Sequence, residues 1–120
     1  MASGQDNRKH SRFGAAFSVI YTIKEPFELR MEFGDKEKDG IAEDLSEGGL
    51  SLLLDFEIPD HTILNIRFRL LFKDMVTYRK FDLQGEVRHC MRTKEKFSYR
   101  AGIRFLNASR DDREFIAACI

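Results

Sequence analysis

Two short stretches hold the residues best suited to chemistry: Arg8-Lys9-His10-Ser11-Arg12 and, about thirty residues later, Asp44-Leu45-Ser46-Glu47-Gly48-Gly49. Two arginines four apart offer planar forks that clamp a phosphate bidentately, stack on a base, or bond the O6/N7 edge of guanine. Asp44 is a pure acceptor, suited to the N–H donors on guanine's Watson–Crick edge. Ser46, two residues on in an extended chain, adds a hydroxyl on the same face. Gly49 has no Cβ and lets a ligand approach the backbone. Together these residues suit recognition of an anion joined to a purine. A plainer reading also fits them, with a solvated basic tail followed by a bulged strand or tight turn that needs small residues.

Composition decides how much each stretch weighs. With 12 Arg in 120 positions, Arg-x-x-x-Arg is weak, and the pattern recurs at Arg88/Arg92 and Arg100/Arg104, pairs given no part in the site. An [Asp/Asn]-x-Ser-x-x-Gly match is scarcer, with a chance expectation of roughly 0.05 from this composition. No catalytic constellation accompanies it. Gly-x-Ser-x-Gly, a phosphate-binding P-loop and a Cys/His pair in a catalytic context are all lacking. His10, His61 and His89 are scattered. His89 and Cys90 adjoin, but strand neighbours point to opposite faces and cannot chelate together, so no metal is expected. Cys90 and Cys119 make neither a disulfide framework nor a zinc motif. An enzyme is not expected.

The elements that must position these residues read as strands. At 120 residues the chain is one domain's worth. Eleven Phe and 3 Tyr rule out whole-chain disorder. Residues 1–12 are polar without apolar period and read as a flexible arm; residues 13–120 read as the folded domain. Apolar side chains recur at every second position in Phe13–Ile23, Phe27–Phe33, Leu64–Phe72 and Phe97–Phe105, and Val76, Tyr78, Phe81, Leu83 and Val87 mark one more run. Residues 41–54 resume as a strand with the Ser-Glu-Gly-Gly stretch in its middle. Ser109 followed by Asp111 and Asp112 marks a helix start, with a helix expected over about 109–119. Short strands with turn signals between them predict an all-β fold, a closed or nearly closed antiparallel barrel finished by one C-terminal helix.

Charge and hydropathy narrow the partners. Twenty cations against 20 acids leave no net charge, which argues against a protein that coats nucleic acid polymers. The longest apolar run, Phe115–Ile120, is far too short to span a bilayer, and no membrane insertion is expected. No apolar stretch follows Met1, so no signal peptide is expected and the default location is cytoplasmic.

An Arg-x-x-x-Arg arm ahead of the first barrel strand, then Asp-x-Ser-x-Gly-Gly before an apolar strand, resembles the PilZ domain family. Ala101-Gly102-Ile103-Arg104-Phe105 is similar to that family's Gly-Ile-x-Phe segment, and the likeness runs from about Arg8 to Leu106. It implies a six-stranded barrel of a bacterial receptor for the second messenger cyclic di-GMP. By the same resemblance Arg8 and Arg12 are the arm arginines, and Asp44, Ser46 and Gly49 the strand motif, with Lys9 and Gly48 as further contacts. Binding would order the arm and present a new surface to a downstream protein. Two other readings stay open: a PilZ-like protein–protein adaptor that needs no nucleotide, and a barrel that stacks single-stranded nucleic acid on exposed aromatics.

Overall fold

Alternation of apolar and polar residues becomes a closed sheet in the computed structural model, which describes residues 16–95 and 98–120. The arm expected over residues 1–12, with Arg8, Lys9 and Arg12, lies outside the described residues, as do Phe13, Ala15 and Phe97. Six strands form: β1 (Phe17–Glu25), β2 (Lys38–Ser46), β3 (Gly49–Leu54), β4 (Ile63–Leu71), β5 (Tyr78–Arg92) and β6 (Tyr99–Phe105). They close in the order β1-β2-β3-β6-β5-β4, every neighbouring pair antiparallel, with β4 pairing back onto β1. Closure leaves no long unpaired edge.

The core is the inward half of each alternation. In β4, Leu64, Ile66, Phe68 and Leu70 are buried, whereas Arg67 and Arg69 are exposed. Aromatic rings fill one end of the barrel. Phe68 stacks on Phe81 with centroids 4.8 Å apart and meets Phe17 at 5.5 Å. Helix α2 (Arg110–Cys119) caps that end by burying Ile116 and Cys119 and by laying Phe115 6.1 Å from both Phe72 and Phe81. The expected start is correct in mechanism. Ser109 Oγ accepts from the Asp112 backbone N–H at 3.0 Å while Asp112 Oδ2 accepts from the Ser109 N–H, a capping box.

Two expected strands differ. Phe27–Phe33, read as a half-buried strand, is a helix, here called α1. Its period of two is also two pairs four apart: Leu29 and Phe33 pack toward the core while Phe27 and Met31 stay exposed. Residues 41–54 are not one strand. Glu47-Gly48 forms a two-residue turn between β2 and β3, with Ser46 opposite Gly49. The count of six holds because one expected strand is a helix and another is two strands.

Candidate functional site

Side-chain direction in β2 is set by a bulge. Pairing with β3 slips between Ala42 and Asp44, so Ala42 and Leu45 both point inward and the two residues between them, Glu43 and Asp44, both point outward. Ser46 follows on the outer face. A second bulge, between Val87 and His89 of β5, turns Arg88 and His89 outward together. Cys90 then points back toward the core, so His89 and Cys90 do face opposite ways. Among the described residues no three His, Cys, Asp or Glu side chains are placed to hold a metal ion.

Strand pairing draws these positions into rows. Asp44 lies opposite Ser51, Ser51 opposite Gly102, and Gly102 opposite His89, one row across β2, β3, β6 and β5. The next row runs Ser46, Gly49, Arg104, Glu86. Between them is a groove of about 480 Å³, with a floor of small residues, Asp44 and Ser46 on one side, and Arg88, His89 and Arg104 on the other. A row of four strands spans about 14 Å, longer than a lone anion. Its volume lies in the range of small-molecule sites.

The glycines shape this floor differently. A Cβ on Gly102 would meet His89 Cε1 at 2.5 Å, so the bare backbone there is what lets the imidazole lie against the strand. A Cβ on Gly49 would stand 1.9 Å from the Ile103 carbonyl oxygen. Gly49 is therefore required by the approach of β3 to β6, before any ligand is considered. Gly48 faces open space, and its carbonyl accepts from the Phe105 N–H at 2.8 Å, tying the β2–β3 turn to β6.

The cations differ in how strongly they are held. Arg100 grips Glu43 through Nε and Nη2 at 2.5 and 3.2 Å, which raises its pKa above the ordinary guanidinium value. Arg88 reaches Glu86 only at 3.7 Å. Glu86 is held below the usual carboxylate range, chiefly by its 3.0 Å hydrogen bond with His61 Nδ1, then by Arg88 and Arg104. One carboxylate thus faces two arginines and an imidazole at the edge of the groove.

The structure brings Asp44, Ser46, Gly48 and Gly49 together at this groove, while Arg8, Lys9 and Arg12 lie outside the described residues. It also adds residues that sequence reasoning set aside: Arg88, Arg100 and Arg104, from the two arginine pairs given no part in the site, all line it. The bulge that aims Arg88 and His89 has no glycine or proline of its own between Val87 and His89 to announce it.

Comparisons with known proteins agree with this architecture. The PilZ domain family model matches residues 6–120. Among solved structures, the Bacillus subtilis inhibitor of motility MotI/DgrA aligns over 92% of this chain and 48% of its own, with a TM-score of 0.70 and 16% identity. YcgR from Escherichia coli, in complex with c-di-GMP, aligns over 91% of this chain and 42% of its own (TM-score 0.58, 18% identity). The PilZ domain of CeSA from a cellulose-synthesizing bacterium aligns over 88% and 90% (TM-score 0.54, 16% identity). These likenesses are of fold. The chain spans about half the length of MotI/DgrA and less than half of YcgR. No curated protein matches the chain.

Proposed function

We propose, for a chain that belongs to the PilZ domain family, that the outer groove across β2, β3, β6 and β5 binds cyclic di-GMP. The observation that carries this reading is the single row Asp44–Ser51–Gly102–His89. It sets an acceptor at one side of a flat floor and an imidazole at the other, with Arg88 and Arg104 beside it.

Each group has a task that its chemistry suits. Asp44 accepts from the N1–H and N2–H donors of a guanine, which adenine lacks, and the Ser46 hydroxyl lies next to it on the same face. The His89 ring already lies over Gly102, so a base enters above Ser51 and beside that ring. The His89 ring offers a stacking face, and Arg88 and Arg104 meet phosphate oxygens with charge-assisted hydrogen bonds. Arg8 and Arg12, with Lys9, close over the ligand from the N-terminal side. No group in this set is an activated nucleophile or a general base with a substrate bond to attack, so the role is that of a receptor. Its output is a changed surface, arm and groove together, read by a downstream protein.

Amide shift mapping tests the placement. Adding cyclic di-GMP is expected to move the resonances of Ser46, Gly49, Ser51 and Gly102 and to leave those of β1 unmoved. Shifts confined to another face would reject the groove.

A further inference from the structure

The hairpin joining β4 to β5 carries an unusual combination for the tip of a barrel. Met75 and Val76 at its apex are 73% and 77% exposed, and Tyr78 and Leu71, paired opposite each other just behind, are 53% and 42% exposed. One step further back Arg69 and Lys80 are paired, with Arg69 over the Tyr78 ring at 5.2 Å. Residues 69–80 hold four cations (Arg69, Lys73, Arg79, Lys80) and one acid in a chain with no net charge. Arg79 turns away to bond Asp112 of α2 at 2.8 Å. The one acid, Asp74, accepts from the Val76 and Thr77 N–H groups and the Thr77 hydroxyl. With the Phe72 N–H to Thr77 carbonyl bond of 2.7 Å, these contacts fix the apex in one shape.

We propose that this hairpin is a membrane-surface contact, seating Met75 and Val76 in the interface of an anionic bilayer while Arg69, Lys73 and Lys80 meet the headgroups. Depth order favours a lipid surface over a protein groove. Met75 and Val76 lead at the tip, beside Lys73 and an Asp74 whose carboxylate is tied into the turn; a tyrosine and a leucine come next, and the cation pair follows about 7 Å behind along the strands. Interfacial segments bury their apolar part to about 5–10 Å and keep their tyrosines at headgroup level. A convex tip with this layering matches a fluid surface of negative charge. The absence of a long apolar run concerned spanning segments, and no helix among the described residues is long and apolar enough to cross a membrane. A hairpin apex needs no such run.

The chain has no tryptophan, so Val76→Trp places a single reporter at the apex. Its emission is expected to shift to the blue with phosphatidylcholine vesicles containing phosphatidylglycerol, and not with phosphatidylcholine alone. The wild-type chain should sediment with the anionic vesicles, Lys73→Ala and Lys80→Ala should each weaken partitioning about fivefold, and Met75→Ser/Val76→Ser should abolish it. Circular dichroism checks that each variant is folded. The Arg8→Ala/Arg12→Ala chain should still sediment through the hairpin. Unshifted emission, or sedimentation indifferent to the hairpin substitutions, would overturn the proposal. A blue shift without vesicles that grows with protein concentration would overturn it in favour of a second copy. An equal shift with soluble poly-glutamate would do so in favour of an acidic protein.

Discussion

The His89 imidazole rests on the backbone of Gly102, close enough that a methyl group there would come within 2.5 Å of the ring's Cε1. The glycine thus sets where the ring sits, and the bulge before His89 sets which face it sits on. Gly102→Ala is expected to push the ring off the strand and weaken cyclic di-GMP binding by about 1 kcal/mol, the lower end for loss of one stacked base. His89→Ala should cost a similar amount, and the double variant little more than either alone. A calorimetric double-mutant cycle checks this, and fully additive losses would show that the two residues act separately.

Arginines around the groove should divide by what already holds them. Arg88→Ala and Arg104→Ala are each expected to lower affinity by about 1.5–3 kcal/mol, the range for hydrogen bonds to charged groups. Arg8→Ala and Arg12→Ala should lose at least as much. Arg100→Ala should bind nearly normally, because Glu43 occupies its guanidinium through two hydrogen bonds. Since the ligand is a dianion, affinity should fall as salt rises. Calorimetry of the five variants at two salt concentrations reads both effects.

Gly49 separates folding from binding. Gly49→Val places a side chain against the Ile103 carbonyl, so thermal stability is expected to fall by more than about 3 kcal/mol without any ligand present. Gly48→Ala, with open space around its Cβ direction, should melt like the parent. An unchanged melting temperature for Gly49→Val would contradict the close approach of β3 to β6.

Much of the barrel is legible because burial on one face imposes a period of two. In β4 and β6 that face is continuous, and each residue's direction follows from its position. Helix α2 is legible from Ser109 and Asp112, whose reciprocal hydrogen bonds are local. Reading fails where two periods coincide, as at Phe27, Leu29, Met31 and Phe33, which a seven-residue segment cannot resolve between strand and helix. It also fails at the bulges. The acceptor side of the groove shows in the spacing of Asp44 and Ser46, but Arg88 and His89 face outward together only because β5 gains a residue against β6. Their association with Asp44 depends on the order β2-β3-β6-β5, which no local pattern states.

Tyr21 makes the core itself pH-sensitive. Its hydroxyl is buried without a hydrogen-bond partner among the described residues. Burial first, then the charges of Asp55, Cys90 and Asp39, push its pKa up from 10.0 to about 12. A group whose native pKa is raised supports folding fully below its unfolded value and loses that support as pH rises through the native one. Stability should therefore hold to about pH 10 and decline toward pH 12. Tyr21→Phe should flatten this alkaline decline and cost no more than about 1 kcal/mol at neutral pH, since no hydrogen bond is lost. Denaturant midpoints of the two proteins at pH 8 and pH 11 test it.

The groove's claim to be a cyclic di-GMP site is tested most directly by calorimetric titration of the parent chain and of Asp44→Ala with cyclic di-GMP and cyclic di-AMP. The parent should bind cyclic di-GMP saturably and in defined stoichiometry, and cyclic di-AMP far more weakly. Asp44→Ala should remove most of that preference while keeping part of the phosphate-driven affinity. No heat of binding with the folded parent chain, or a guanine preference that survives Asp44→Ala, would contradict the assignment.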